Sequence, residues 1–314
     1  MICLVSVLMV ILRNHTAGSP MNENILWTNL SWSRISELLK CQGLNVGRYV
    51  VKKLMKQLGY VRRKMVKCKT MVEVKFRNEQ FEYIGKQVSE FVSSGLPVLS
   101  IDTKKKEMLG NFYREGRLLT QEPIEVNDHD FQSFSDGSVV PHGIYDLYQN
   151  KCYLSLGQSK DTAEFMCDNL RYFWENHIKY YYPAAGKMLL LCDGGGSNGC
   201  RQHVVKEALY RLSKELEIEI VVAHYPAYCS KWNPIEHKAF CHITRAWQGE
   251  VFSSYQKVAR MAEMATTKTG FSVEVWQNHK QYTTGIKASE VFLKEYPVAF
   301  NEFLPLWNYS LNAS

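Results

Sequence analysis

The sequence predicts an α/β fold with a mainly parallel central sheet, preceded by a small helix-turn-helix module of winged-helix character. Three observations carry that expectation. Short apolar runs alternate with segments of helical periodicity through the middle of the chain, the pattern of strands joined by crossover helices. Charge is uneven: the 314 residues carry a net +7, yet residues 1–80 hold 14 Lys and Arg against 4 Asp and Glu, and the remaining 234 hold 24 against 27. Composition is ordinary for a globular protein, 46% apolar and 22% charged, which excludes a disordered or fibrous chain and allows a substantial core. A basic block of +10 confined to the first quarter favours an anionic polymer or a membrane surface as the partner of that quarter.

The run Met1–Leu12 is strongly apolar, but it is too short to span a bilayer and lacks the basic flank and cleavage site of a secretory signal. No membrane partner is expected, and residues 1–24 have no assigned role. Trp32 to Leu58 reads as two helices about a turn. Ile35, Leu38 and Leu39 give an apolar stripe, Gly43 suits the turn, and Asn45 is the expected N-cap of the second helix. There Val50, Leu54 and Leu58 are expected to face a core. Arg48, Lys52 and Lys56 recur one turn apart on another face, where they can follow a phosphate backbone. Gly59 and Tyr60 lead into a basic strand or wing, Val61-Arg62-Arg63-Lys64. A solvated basic helix face is the bland alternative for this whole stretch.

Gln80–Phe91 is a linking helix, followed by a buried strand, Pro97–Ile101, that ends at Asp102. Strands are expected at His142–Tyr148 and Cys152–Leu156, with the polar segment Asn127–Gly137 as a loop insertion. Asp161-Thr-Ala-Glu164 opens a helix in the manner of a capping box. Lys187–Cys192 is the most strand-like run and ends at Asp193 and a glycine loop. A helix over about Gln202–Leu216 and a strand over Glu219–Ala223 follow, and Asn233-Pro234 starts another helix. The nine cysteines include no C-x-x-C pair, which argues against structural zinc and for reduced thiols.

Asp193-Gly194-Gly195-Gly196-Ser197-Asn198-Gly199 fits two unrelated patterns, the dinucleotide fingerprint G-x-G-x-x-G and the nucleophile elbow G-x-S-x-G around Ser197. The first needs an acid at the tip of the next strand, which instead reads Val-Val-Ala-His224. The second needs a later acid and histidine, and no Asp follows Asp193. No nucleotide cofactor is therefore expected. Both patterns leave unexplained the acid at the exit of a buried strand.

Asp102 and Asp193 each end a strand, and Glu236 falls in the first turn of the helix that Asn233-Pro234 opens. Three carboxylates from two strand ends and a helix can hold two hard cations through oxygen. Two such ions, about 4 Å apart, activate an attacking oxygen and stabilise a leaving one in phosphoryl transfer.

Ser230-Lys-Trp-Asn-Pro-Ile-Glu236 resembles the S-x-x-N-P-I-E segment of DDE transposases. Ile101-Asp102-Thr-Lys-Lys-Lys-Glu107, Gly110-Asn-Phe112, Pro141-His-Gly-Ile-Tyr-Asp146, Asp161-Thr-Ala-Glu-Phe165, Leu191-Cys-Asp193-Gly-Gly-Gly-Ser-Asn-Gly199 and Thr269-Gly270 extend the likeness. Together they make the chain similar to the bacterial insertion-sequence group of Rhodopirellula-type DDE transposases, from about Leu26 to Tyr309. The resemblance implies an RNase H-like mixed sheet flanked by helices, with Asp102, Asp193 and Glu236 as catalytic and metal-binding triad for two Mg²⁺ or Mn²⁺ ions. It implies cleavage of element ends and strand transfer, with terminal-repeat and target DNA as partners, a homo-oligomer on DNA and a cytoplasmic, nucleoid-associated protein. DNA contact is expected from Arg48, Lys52, Lys56, Arg62, Arg63, Lys104, Lys105 and Lys231. His224, His237, Ser230 and Asn233 are auxiliary candidates around the third acid. The resulting division is a DNA-binding module over 25–78, a linking helix over 79–95, a catalytic domain over 96–250 and a C-terminal segment over 251–314 packing on the core. Members of the group read Pro-Gly-Thr where this chain has Ala227-Tyr228-Cys229. A decayed, inactive copy that only binds DNA is the alternative reading.

Overall fold

Residues Leu4–Asn14 form a helix, α1, whose Leu8, Ile11 and Leu12 are buried. A short antiparallel pair follows, β1 (Ala17–Ser19) with β2 (Asn22–Trp27), and then α2 (Trp32–Cys41) and α3 (Arg48–Gln57). The computed structural model describes residues 4–19, 22–63, 74–194, 202–302 and 304–312, in two compact units, 1–69 and 70–314.

In the first unit the apolar start is the missing third of a core. Leu8, Ile11 and Leu12 pack with Ile35 and Leu39 of α2 and Val51 and Met55 of α3. Each such buried side chain contributes roughly 1.5–3 kcal/mol, so the run without an assigned role holds the two-helix turn together. Ser31 caps α2 by accepting from Arg34 N–H at 3.1 Å. Three expectations are corrected. The N-cap of α3 is Gly47, not Asn45, because Leu44 and Val46 pack on the core before the helix begins. The buried stripe is therefore Val51 and Met55, with Leu54 and Leu58 at its margin and Val50 exposed at 49%. Residues 60–63 are not a strand, and Lys64 lies outside the described residues.

The second unit opens on α4 (Arg77–Ser93) and β3 (Val98–Thr103), with the short β4 (Glu107–Leu109) after it. Next come β5 (Gly137–Asp146), β6 (Lys151–Gly157), α5 (Ala163–Asn176), β7 (Lys187–Cys192), α6 (His203–Leu216) and β8 (Glu219–His224). A π-helical turn, Glu236–Phe240, runs into α7 (Cys241–Trp247). The chain ends with α8 (Tyr255–Glu263), β9 (Ser272–Asn278), α9 (Glu290–Glu295), β10 (Ala299–Phe300) and β11 (Asn308–Leu311).

The main sheet has the order β10-β11-β8-β7-β3-β5-β6-β9, with β4 beside β5. β3, β5 and β6 form an antiparallel meander, while β7 and β8 run parallel to β3. The five central strands thus place the first in sequence, β3, in the middle, with β5 and β6 on one side and the parallel pair on the other, an RNase H-like mixed sheet. The sheet is the mixed one that the resemblance implies, and not the mainly parallel core that strand–helix alternation alone suggests: turns such as Asn150, at φ +53°, let consecutive strands pair directly, without a crossover helix. β9 and β11 widen the sheet at its two ends.

Strand alternation separates the two faces. Ile101, Ile144, Tyr153, Leu190 and Val222 pack under α5 and α6. On the other face α7 and α8 cover β5 and β6, and α4 covers β3, β7 and β8. His142 lies on the α5 face, fully buried, edge-on to Phe165, and burial alone pushes its pKa down to about 3. A histidine depressed in the fold and near 6.5 when unfolded gives a definite sign. Its contribution is fully present above about pH 6.5 and is lost, at about 1.4 kcal/mol per pH unit, as pH falls towards 3. His142→Leu should therefore flatten the acid limb of the stability curve by about one proton relative to wild type, as read from urea midpoints between pH 4 and 6. An unchanged slope would contradict a neutral buried His142.

Candidate active site

Asp102 is the fifth residue of β3, and it shares a face of the sheet with Ser100 two residues earlier. Asp193 follows directly on β7, the parallel neighbour of β3, where pairing continues as Tyr225 N–H donates to Cys192 O at 2.8 Å. Glu236 is the first residue of the π-helical turn, its N–H bonded to Asn233 O at 3.0 Å. One wide helical turn at a functional helix start is a recurrent way of aiming a side chain.

The three acids bear on one another. Burial, the charge of Asp193, and both the charge and the hydrogen-bonding proximity of Glu236 push Asp102 up to about 8, while the Thr103 N–H, donating to Asp102 Oδ1 at 2.8 Å, works the other way. An acid raised this far beside two others is the signature of a site that collects negative charge. Among the described residues no three His, Cys, Asp or Glu side chains form a ready-made metal cage. The donor chemistry nonetheless suits a hard divalent cation, being carboxylate oxygens only, and a cation would reverse the penalty that holds Asp102 protonated.

Two residues that sequence reasoning did not single out, Ser100 and Gly143, hold this arrangement together with the auxiliary candidate Asn233. The Ser100 hydroxyl donates to Asn233 Oδ1 and accepts from Ile235 N–H at 3.0 Å, and Asn233 Nδ2 donates to Ile101 O at 3.2 Å. Ser100 and Asn233 are fully buried, so the start of the Glu236 helix is clamped to β3 by bonds with no competing water. Asn233 therefore positions the helix rather than touching the reacting atoms. Gly143 stands directly opposite Asp102 in the β3–β5 register. A Cβ there would lie 2.6 Å from Phe240 and 2.7 Å from Ile235, so the missing side chain is what lets the Glu236 helix lie on the sheet. The only sequence signal was a serine inside an apolar run and a glycine inside a strand.

The other candidates separate. His224 alternates to the α6 face, away from Asp102, with its ring 5.9 Å from that of Tyr309. Its Nδ1–H donates to Asp193 O at 3.0 Å, and burial lowers its pKa to about 4. It orients the Asp193 backbone and is not placed to shuttle protons. His237 and Lys231 are exposed, with Lys231 Nζ 5.6 Å from the Trp232 ring, and the Ser230 side chain lies outside the described residues. Lys104 is half-buried, paired with Glu107 at 3.0 Å and set over Trp247, so it is spoken for within the fold; Lys105 and Lys106 are exposed. In the first unit Arg48, Lys52, Lys56, Arg62 and Arg63 are all exposed, with Lys52 and Arg62 each about 5 Å from the Trp32 ring. The glycine loop beyond Gly194, with Ser197, lies outside the described residues. No helix among the described residues is long and apolar enough to cross a membrane.

No curated protein matches the chain by sequence. Its fold is similar to solved structures of the Mos1 transposase. One is a paired-end complex with the left transposon end, at 14% identity and TM-score 0.46, covering 82% of this chain and 68% of that one. Another is a mariner paired-end complex with Mn, at 13% identity and TM-score 0.45, covering 82% and 69%. The family model described as the Rhodopirellula transposase DDE domain matches residues 7–313, a span that takes in Asp102, Asp193, Glu236 and the clamp between them, and the chain belongs to that family.

Proposed function

We propose that this transposase cuts and joins DNA at the ends of an insertion sequence, with Asp102, Asp193 and Glu236 holding two Mg²⁺ or Mn²⁺ ions. The observation that carries the reading is the convergence of Asp193 and Glu236 on Asp102, three carboxylates from two parallel strands and a clamped helix. Bound there, the cations would supply Lewis-acid stabilisation of the attacking and leaving oxygens of a phosphodiester. The chain's own part is orientation. Thr103 N–H fixes one Asp102 oxygen, Ser100 and Asn233 fix the helix of Glu236, and His224 holds the Asp193 carbonyl. Such groups act by being in place before the charge develops.

The first unit would supply attraction to DNA phosphate through the exposed row Arg48, Lys52 and Lys56, with Arg62 and Arg63 beside it. Converting the three helix residues to Ala should lower the slope of log affinity against log salt by about 2.7. Fluorescence titrations at several salt concentrations measure this, and an unchanged slope would remove the row from the contact. Two element ends must meet for strand transfer, so the protein is expected to assemble as a homo-oligomer on DNA, read by light scattering of the complex.

Incubating the protein with Mg²⁺ and DNA that carries the genomic flanks of the reading frame tests the whole proposal. The expected result is metal-dependent nicks at defined positions. The second reading, a copy that binds without cutting, draws on one observation: Tyr228, in the loop leading to Glu236, occupies a backbone conformation suited to glycine. Salt-sensitive binding with no cleavage in Mg²⁺ or Mn²⁺ would establish it.

A further inference from the structure

Tyr228 is strained, exposed and anchored beside the acids. Cys229 N–H donates to Pro226 O at 3.1 Å, closing a four-residue turn, and Tyr228 is the third residue of that turn at φ +61°. That turn position suits glycine, because an L-side chain crowds the following carbonyl there. The other non-glycine residues at positive φ have compensation. Asn150 turns a hairpin, Glu217 and Tyr296 end helices, Tyr296 stacks on Phe300, and Phe76 packs edge-on to Trp307. The Tyr228 ring is 74% exposed and has no hydrogen-bond, ion or ring partner among the described residues. Nothing among the described residues offsets its strain, and uncompensated strain of this kind points to a use outside the fold.

The turn is fixed at both ends. Tyr225 is bonded to Cys192, and the Tyr225 and Ala227 backbone lies against Gly194, next to Asp193. Cys229 is buried, and its Sγ accepts from Arg77 Nε at 3.3 Å. Three residues beyond Cys229, Trp232 is half exposed, with the Lys231 ammonium over it and Phe81 edge-on beneath. An anchored turn thus presents an aromatic ring to solvent, with a second aromatic and a cation following, in the segment that joins Asp193 to Glu236.

We propose that Tyr228 is a nucleobase-stacking residue, whose ring receives an unpaired base of a DNA strand opened beside the carboxylates, with Trp232 and Lys231 flanking it. This deepens the reading of the site as a DNA-cutting site and rests on it. A ring held on a rigid turn loses little freedom on stacking, and every base has a face to offer. Only an unstacked base can reach such a ring, so the preference falls on opened or single-stranded DNA over duplex.

The test uses the full chain and two fluorescein-labelled probes, a fully paired duplex and the same duplex with a single-stranded tail carrying 2-aminopurine, each with and without Mg²⁺. Wild type should bind the tailed probe more tightly and quench its 2-aminopurine. Tyr228→Phe should match wild type within about twofold, while Tyr228→Gly and Tyr228→Leu lose about tenfold on the tailed probe and nothing on the paired one. Tyr228→Gly relaxes the turn and should melt above wild type, so its loss of binding cannot be laid to unfolding. A glycine variant that quenches and binds the tailed probe like wild type overturns the stacking role alone. A wild type that binds neither probe overturns the DNA reading of the site and this inference with it.

Discussion

Asp193→Asn is expected to lower Mg²⁺-dependent strand cleavage by about 10³-fold or more, with DNA binding through the first unit unchanged. An amide keeps the shape of the acid but removes the charge that a hard cation needs. Losing a metal ligand costs several kcal/mol of transition-state stabilisation, and each 1.36 kcal/mol is tenfold in rate. The same logic gives Asp102→Asn a second, opposite effect. Asp102 sits in a largely buried position against the charges of Asp193 and Glu236 and is raised to about 8 as a result. Replacing it by a neutral isostere removes that repulsion, so in EDTA Asp102→Asn should melt above wild type. Adding Mg²⁺ should then raise the melting temperature of wild type, because a ligand that binds only the folded state stabilises it, and leave the variant where it was. Calorimetry with and without Mg²⁺, paired with a single-turnover cleavage assay, reads both effects. Cleavage that survives Asp193→Asn would remove this residue from the metal site, and an Asp102→Asn protein less stable than wild type in EDTA would mean that the three acids do not repel.

Much of this site was legible in the chain, and what was not has identifiable causes. The runs ending at Asp102 and Asp193 are continuous and apolar because β3 and β7 are covered on both faces, and such runs stand out. Glu236 was placed by its proline-started helix, although the π-helical turn that carries it leaves no mark in composition. α1 was missed for a physical reason: a segment apolar on every side has no periodicity, so its helical nature shows only when Leu8, Ile11 and Leu12 find α2 and α3. The register of α3 moved because Leu44 and Val46 needed burial more than Asn45 needed to cap. β9 and β11 mix polar with apolar residues, and their strand character comes from pairing with β6 and β8 rather than from their own sequence. Lys104 and Lys105 after Asp102 read alike as DNA contacts, yet Lys104 is paired with Glu107 while Lys105 is exposed. Composition reports charge; only the fold reports which charges are already paired.

Gly143→Ala should disable the site without touching an acid. β5 runs antiparallel beside β3 with Gly143 opposite Asp102, and the helix of Glu236 lies directly on that glycine. A methyl group there would sit 2.6–2.7 Å from Phe240 and Ile235, closer than atoms pack, and neither neighbour is a flexible surface chain: both are fully buried in the core between α7, α8 and the sheet. The added carbon can be accommodated only by lifting the helix, and overpacking of this kind costs about 1–3 kcal/mol. Lifting also pulls on the clamp, because Ile235 N–H, bonded to Ser100, and Asn233, bonded to Ser100 and Ile101, belong to the same helix start. Glu236 would then stand off from Asp102, and displacements of about 1 Å at a reacting centre are worth about 10²-fold in rate. The expected result is a protein that still folds, binds DNA through the first unit with wild-type salt dependence, melts lower, and cleaves about 10²-fold more slowly. A compensating Phe240→Leu, which frees the space the methyl needs, should recover part of both losses in the double variant. If Gly143→Ala cleaves at the wild-type rate, the close seating of the Glu236 helix on β5 is not what sets the third ligand, and the assignment of Glu236 loses its structural basis.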